Sequence, residues 1–309
     1  MKNMLLLTLA AACFLFVACE EEPPYINYTP NTVTYETTFV DVAGLPAPQL
    51  REVLVEDISG VRCVNCPDAA VIIKGLKADF AGRVNSITIY PNTSSLNSLT
   101  LPVNKPDKGF VSKYDLRTDA GGQMLATLGT PNSLPNGYVN RKLFAGKTDR
   151  FIDRTEWAAK VTSEKDSVTP VNIYVRTSYG ADGKLNADLE LRFTEDLSGD
   201  YYISMALIQD SIIDVQETTD PNIGATYIAD YPHMHVLRKM FTSNLGDKIN
   251  ATPNITLVKG RVVEKRYSLE LTPEAGKAPY DKKHLGIVAF VHRGGDNVVV
   301  QSKEFEVAE

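Results

Sequence analysis

The sequence predicts an α/β domain followed by an all-β sandwich, with an export signal and a tether in front of them. Helix-like and strand-like segments alternate over residues 51–165, whereas residues 166–309 contain only segments that alternate apolar and polar side chains. A chain of 309 residues is long enough for two such domains.

Residues 1–18 have the pattern of a bacterial lipoprotein signal peptide. A single lysine precedes the apolar run Met4–Val17, which is too short to span a bilayer. The stretch "FVAC" resembles a lipobox, and cleavage there would make Cys19 the first residue and the acylated one. Cys13 is a competing site, and an ordinary secretory signal cut after Ala18 is the other alternative. Several acyl chains would attach the protein firmly to a membrane.

Residues 19–50 are predicted to be a tether and N-terminal segment. Glu20–Glu22 resemble the surface-export signal of some Gram-negative lipoproteins, although a solvated charged linker explains them equally well. Removal of residues 1–18 takes the formal charge from −6 to −7, because only one lysine is lost. Nucleic acid is therefore not an expected partner, since its binding requires clustered positive charge.

Residues 51–165 contain six segments with clear periodicity. In chain order these are "REVLVEDIS", "DAAVIIKGLKADFAG", "VNSITIY", "TDAGGQMLATLG", "NGYVNR" and "RTEWAAKVTSEK", which we interpret as strand, helix, strand, helix, strand and helix. Residues 91–117 are polar and lack a clear period, so they are predicted to be an inserted loop. This order, with a CxxC motif before the first helix, resembles the thioredoxin fold.

The motif "GVRCVNCP" places Cys63 and Cys66 at the predicted start of that helix. The unpaired N–H groups of a helix N-terminus, together with Arg62, would favour the thiolate of Cys63, which is the predicted attacking thiol. Cys66, one turn deeper, would resolve a mixed disulfide, and Pro67 suits a first helical turn. The sequence predicts a redox couple, with an inert structural disulfide as the alternative.

The thioredoxin resemblance implies roles for two further residues. Asp57 lies six residues before Cys63, where thioredoxins place a buried acid that accepts the proton of the second thiol; a solvent-exposed carboxylate at a strand end is the alternative. A cis proline facing the cysteines is expected at Pro135, with Pro131 as the second candidate. The aromatic residue and the Gly-Pro pair of thioredoxins are missing, so redox potential and partner choice do not carry over.

No metal or cofactor is predicted. Zinc would need two more ligands near the cysteine pair, and haem c attachment would need a histidine where Pro67 stands. In "HMHVLR", His233 and His235 would share one face of a strand and could hold a metal. No acidic or cysteine ligand accompanies them, and half-exposed imidazoles on a strand are the simpler interpretation.

After residue 165 the segments alternate with a period of two. They are "VNIYVRTSYG", "KLNADLELRFTED", "GDYYISMALIQDS", "ITLVKGRVVEKRYSLEL", "KHLGIVAFVHR" and "NVVVQSKEFEV", with a tight turn at "GADGK". Six or seven such strands predict a sandwich of immunoglobulin or fibronectin type.

Several segments together resemble the 28-kDa outer-membrane-protein-related lipoprotein family. They occur in order over roughly residues 50–300, and the sharpest are "EDISGVRCVNCP" and "HMHVLR". The resemblance implies an outer membrane lipoprotein, exposed on the cell surface, of a kind described as an adhesin or receptor. The periplasmic face of that membrane is the alternative location. No reaction follows from the resemblance.

Two functions of different classes are therefore expected. The first is a binding or interaction protein, anchored in the outer membrane by its N-terminal lipid and contacting an unidentified protein or surface partner. The alternative is a thiol-disulfide oxidoreductase that acts on exported proteins through Cys63 and Cys66. The first accounts better for the whole molecule, because an anchor and a complete sandwich exceed what a redox module needs.

Overall fold

The computed structural model describes residues 33–220, 226–251, 255–272 and 274–308. The predicted signal peptide, the acylation site Cys19 and the first part of the tether lie outside these residues. The described residues form a β-rich fold with several sheets. No helix within them has the length and apolar character needed to cross a membrane.

The described residues contain four α-helices and sixteen strands. The helices are α1 (Cys66–Asp79), α2 (Asn97–Thr100), α3 (Asp119–Leu128) and α4 (Trp157–Glu164). The strands before α4 are β1 (Val33–Val40), β2 (Val53–Ile58), β3 (Val84–Ile89), β4 (Asn104–Lys105), β5 (Phe110–Val111) and β6 (Asn136–Val139). The strands after α4 are β7 (Val171–Tyr179), β8 (Leu185–Phe193), β9 (Tyr201–Gln209), β10 (Ile212–Glu217), β11 (Tyr227–His233), β12 (Val236–Met240), β13 (Asp247–Lys248), β14 (Arg261–Leu269), β15 (Leu285–Arg293) and β16 (Val299–Glu306).

The largest sheet has the strand order β16-β15-β9-β12-β3-β2-β6, with β13 paired to β9. Strands β2 and β3 are parallel, β6 is antiparallel to β2, and β12 runs parallel to β3. Every residue of β2 and β3 is buried, as expected for parallel strands in the middle of a sheet, and this includes the polar residues Glu56 and Asp57 of β2. One core cluster combines Leu54 and Ile87 with Ala206 and Val288. Residue 165 therefore separates two patterns of sequence but not two separate hydrophobic cores.

A second sheet has the order β1-β14-β8-β7 and is antiparallel throughout. Strand β8 alternates strictly between buried and partly exposed residues, because one of its faces packs on the core. That core includes Leu189 and Leu191 from this sheet and Met205 and Ile287 from the larger one. Strand β1 lies inside residues 19–50, the predicted tether and N-terminal segment, and there the chain forms an edge strand of this sheet.

A buried ion pair joins Glu56 of strand β2 to Arg141, which lies two residues after the end of β6. Arg141 donates hydrogen bonds through Nε and Nη2 to the carboxylate of Glu56, at 2.8 and 2.6 Å. Both side chains are buried, and the guanidinium carbon of Arg141 lies 4.7 Å from the ring centre of Phe290 in β15. The pair therefore stabilises the contact between the parallel strands and the neighbouring antiparallel ones.

Candidate redox site

Cys63 and Cys66 form a disulfide at the end of the loop that follows strand β2, with their Cα atoms 5.4 Å apart. Helix α1 begins at Cys66 itself, and Cys63 lies in the turn before it, where the Cys66 N–H donates to the Cys63 carbonyl at 3.1 Å. The prediction that Cys66 lies one turn inside the helix is therefore wrong. Pro67 is the reason, because within a helix its ring would clash with the carbonyl four residues earlier, that of Cys63.

Both sulfur-bearing residues are almost fully buried, with 2% of Cys63 and 3% of Cys66 exposed. On one side, the loop packs against the end of helix α2. The Arg62 N–H donates to the Leu99 carbonyl at 2.9 Å, and the Arg62 guanidinium donates to the carbonyl of Pro102. A Cβ atom on Gly60 would lie 2.4 Å from the Leu99 oxygen, so only glycine permits this close approach.

Asp57 lies in strand β2, which leads into the disulfide loop. Its side chain is 2% exposed, and its Oδ1 atom has no hydrogen-bond partner among the described residues. Burial raises the pKa of this carboxyl group to about 8, because the ionised form loses its hydration. The alternative of a solvent-exposed carboxylate at a strand end is therefore wrong. At neutral pH this carboxyl group holds a proton.

Two tyrosines whose pKa values respond to the charge of Asp57, Tyr90 and Tyr231, pack against the buried ring of His233. The hydroxyl of Tyr90 is hydrogen-bonded to Nδ1 of His233 at 2.8 Å, and the His233 ring lies edge-on to the rings of Tyr90 and Tyr231. Burial, followed by the charge of Asp57, raises the pKa of Tyr231 to about 12. Burial lowers the pKa of His233 to about 3, so its imidazole is neutral. All three side chains are therefore neutral at pH 7.

The two histidines of "HMHVLR" are not the half-exposed residues of one strand that the sequence indicated. His233 ends strand β11 and is 1% exposed, whereas His235 precedes β12 with a φ angle of 53°. The Nε2 atom of His235 lies 2.8 Å from Nζ of Lys77 in helix α1. Burial and the charge of Lys77 lower the pKa of His235. Because His235 has a left-handed backbone conformation between the two strands, the imidazoles of His233 and His235 contact different partners.

The peptide bond between Leu134 and Pro135 is cis, so the cis bond precedes Pro135 and not Pro131. Pro135 lies directly before strand β6, whose first residue, Asn136, is paired with Ile58 of β2. The Leu134 side chain lies 3.4 Å from the position of a Cβ atom on Gly60. The cis bond therefore lies beside the beginning of the loop that carries the disulfide.

The C-terminal part of the chain matches a known protein family. The model of the family described as "Outer membrane protein Omp28" matches residues 128–309. The chain belongs to this family. The Omp28 family consists of outer membrane lipoproteins, which confirms the outer membrane location predicted from the sequence. The matched residues include "HMHVLR" but begin after the disulfide loop, so Omp28 membership carries no information about the cysteine pair.

Three solved structures similar to this Omp28 chain come from two organisms. HBP35 of Porphyromonas gingivalis is 16% identical, has a TM-score of 0.58, and the match covers 84% of this chain and 76% of that one. Protein AGR_C_4864 from Agrobacterium tumefaciens is 10% identical with a TM-score of 0.47, covering 85% and 97%. A domain of the outer membrane lipoprotein Omp28 from Porphyromonas gingivalis is 17% identical with a TM-score of 0.26, covering 46% and 90%. No curated protein matches the sequence. The likeness to HBP35 is one of fold.

Proposed function

We propose that this outer membrane protein carries out thiol-disulfide exchange on exported proteins through Cys63 and Cys66. The observation that carries the proposal is Asp57, a buried carboxyl group with an unpartnered oxygen and a pKa of about 8 in the strand that leads to the disulfide. A group that is neutral at pH 7 and ionises slightly above it is suited to hold and release a proton. An unpartnered buried acid is costly for stability, so a chemical role explains its presence.

The surrounding backbone supports a thioredoxin-like interpretation of residues 51–165. Strand β2, the disulfide, helix α1 and parallel strand β3 follow one another, and the loop with the cis bond before Pro135 leads into strand β6 beside β2. We propose likewise that β7, β8 and β14, packed against β9, β15 and β16, form an immunoglobulin-like sandwich that has merged with the central sheet.

The exchange has two balanced steps. A substrate thiolate attacks Sγ of Cys63, a mixed disulfide forms, and the electron pair of the broken bond goes to Sγ of Cys66, which takes the proton of Asp57. The second substrate thiolate then attacks the substrate sulfur of the mixed disulfide and releases Cys63 as a thiolate. The substrate dithiol is oxidised and the cysteine pair is reduced; a second disulfide of the same class returns the pair to its oxidised form by the reverse steps.

The test uses the full chain and a fluorescent peptide with two thiols as the substrate. We expect wild type to oxidise the peptide and Asp57→Asn to lose about 100-fold in rate at pH 7, the lower end of the usual range for removal of a general acid. In Cys66→Ser, Cys63 is a free thiol, so this variant is mixed with the disulfide form of the peptide, where we expect it to attack and accumulate a mixed disulfide at Cys63. The ratio of the wild-type to the Asp57→Asn rate should decrease above pH 8, where Asp57 ionises. Asp68→Asn, an exposed carboxylate on the same helix as Cys66, is the matched control.

Absence of both the mixed disulfide and the effect of Asp57→Asn would contradict the proposal. The almost complete burial of Cys63 and Cys66 favours a second candidate, in which the disulfide is structural and the protein serves as a binding or interaction module. A reduction potential below about −300 mV with no peptide oxidation would favour that second function.

We also propose that acylated Cys19 anchors the chain and that it faces the cell exterior. The support is the lipobox-like "FVAC", the acidic residues after it and membership of the outer membrane family. Cys19→Ser should release the protein from membranes into the soluble fraction. Protease treatment of whole cells should remove the wild-type protein if it faces outward, and retention of the intact chain would favour the periplasmic face.

A further inference from the structure

A segment remote in sequence covers the disulfide loop. Strand β10 and the residues after it, 212–219, run beside residues 60–65, and we name residues 212–219 the β10 cover. The side-chain amide nitrogen of Gln216 lies 2.9 Å from the Cys63 carbonyl oxygen and 3.2 Å from that of Gly60. Gln216 itself is 1% exposed. The amide therefore bonds directly to the backbone of the residue that carries the attacking sulfur.

Further bonds hold the cover on both sides of Cys63. The Glu217 N–H donates to the Val61 carbonyl at 2.8 Å, and the Thr219 hydroxyl donates to the side-chain oxygen of Asn65 at 3.4 Å. Val61 and Val215 also belong to one buried apolar cluster. The cover is thus attached before, at and after the first cysteine, which explains why both cysteines are buried although they lie at a helix start.

The insertion at residues 91–117 supports the cover from its other side. The buried carboxylate of Asp214 accepts hydrogen bonds from the N–H groups of Lys113 and Tyr114, both at 2.9 Å. The rings of Phe110 and Tyr227 are stacked with their centres 4.7 Å apart. The same insertion contacts the disulfide loop through Leu99 and Pro102, as described above. The insertion and the cover together enclose the loop.

We propose that the β10 cover controls access to the Cys63–Cys66 disulfide, and that a thiol reaches Cys63 only after residues 212–219 separate from residues 60–65. The inference concerns regulation of the proposed exchange site and rests on that function for its biological role. The physical basis of the cover holds whether or not the protein turns over a substrate. In-line attack on the disulfide requires open space beside Sγ of Cys63, and in the closed arrangement Cys63 is buried. Gln216 acts as a positioning residue that keeps the cover closed.

The test is the rate at which dithiothreitol reduces the disulfide of the full chain, followed by alkylation of the released thiols. If reduction proceeds through a minor open state, its rate is proportional to the population of that state. We expect Gln216→Ala to increase the rate about ten-fold, which corresponds to an opening that is easier by about 1.4 kcal/mol. Gln301→Ala is the matched control, because Gln301 is an equally buried glutamine that accepts from the Glu52 N–H in another part of the fold.

A second measurement needs no variant. Native-state hydrogen exchange of the Glu217 amide, which bonds to Val61, reports separation of the cover directly. We expect it to exchange at least ten-fold faster than the Leu207 amide in the central strand β9, and its opening equilibrium to match that derived from reduction. Equal protection of both amides, or reduction of wild type as fast as that of the urea-unfolded chain, would overturn the proposal.

The reduction and peptide-oxidation measurements distinguish failure of the cover proposal from failure of the proposed function. Faster reduction of Gln216→Ala, together with no mixed disulfide in Cys66→Ser and no effect of Asp57→Asn on peptide oxidation, would support the cover and contradict the exchange function. An effect of Asp57→Asn together with an unchanged reduction rate in Gln216→Ala would support the exchange function and contradict the cover.

Discussion

Glu56 and Asp57 are neighbours in strand β2, yet their two surroundings show opposite ways to bury a carboxyl group. Successive residues of a strand point to opposite faces of the sheet, so the two side chains enter different regions. Glu56 receives two hydrogen bonds from the buried guanidinium of Arg141. Asp57 has no such cation, and its Oδ1 atom is unpartnered within the described part of the chain.

The difference separates a structural carboxylate from one that can exchange a proton. A buried ion pair is held in one state by its partner, and removing that partner is strongly destabilising. A buried acid without a cation is instead held in its protonated form by desolvation and can release the proton slightly above neutral pH. We therefore expect removal of the cation beside Glu56 to destabilise the protein and removal of the acid at Asp57 to stabilise it.

The largest effect is expected for Arg141→Met, which removes the cation and keeps a side chain of similar length. Glu56 would remain buried without a counter-ion, and the free energy of unfolding should fall by about 3–5 kcal/mol. Urea denaturation at pH 7 measures the change. The double variant Glu56→Gln with Arg141→Met is the control, since it removes both charges and should recover much of the loss. A loss below about 1 kcal/mol in the single variant would contradict a stabilising role for the pair.

Much of the region around the disulfide could be predicted because its signals are local. The apolar start of β2, Val53–Val55, the face of α1 formed by Ala69, Ile73 and Leu76, and the CxxC motif each lie within a short stretch of sequence. Helix starts and strand periods depend on such short-range patterns. The predicted β-rich character is accordingly confirmed, and outside residues 91–117 the helices and strands of residues 51–165 follow one another in the predicted order.

The features that distinguish Glu56 from Asp57 could not be found in this way. Arg141 lies 85 residues from Glu56 in the sequence, and no local pattern identifies it as the partner. The β10 cover could not be predicted either, because the predicted strand "GDYYISMALIQDS" ends at Ser211 and the stretch "IIDVQETT" after it has no regular alternation of apolar and polar residues. Likewise, the burial of His233 depends on contacts with Tyr90, 143 residues away.

A smaller effect of opposite sign is expected for Asp57→Asn. The folded-state pKa of about 8 exceeds the ordinary value of 3.8, so the stabilising contribution of Asp57 is complete below pH 3.8 and is lost as the pH rises through 8. The variant should therefore be about 1–3 kcal/mol more stable than wild type at pH 8.5, because the neutral amide of Asn avoids the cost of a carboxyl group that would ionise at this pH in water but not when buried. At pH 4 the two should be almost equal.

Urea midpoints at pH 4, 6 and 8.5 measure this dependence. Asp68→Asn is the control, because an exposed carboxylate has no comparable desolvation to relieve. A gain for Asp57→Asn that is the same at all three pH values would show that Asp57 does not titrate in this range. A gain that grows with pH, combined with slower peptide oxidation, would show that the protein retains a destabilising acid for its chemistry.

The smallest effect is expected for Tyr90→Phe, which tests the cluster beside Asp57. The substitution removes one buried hydrogen bond, to Nδ1 of His233, and should lower the free energy of unfolding by about 1 kcal/mol. Because burial keeps the pKa of His233 at about 3, the imidazole is neutral at both pH 5 and pH 7 and the loss should be the same at both. Tyr35→Phe, on an exposed side chain of strand β1, should be neutral. A loss at pH 5 that is larger than at pH 7 would mean that His233 gains a proton in the folded protein. The positive imidazolium would then favour the ionised form of Asp57 over its neutral form.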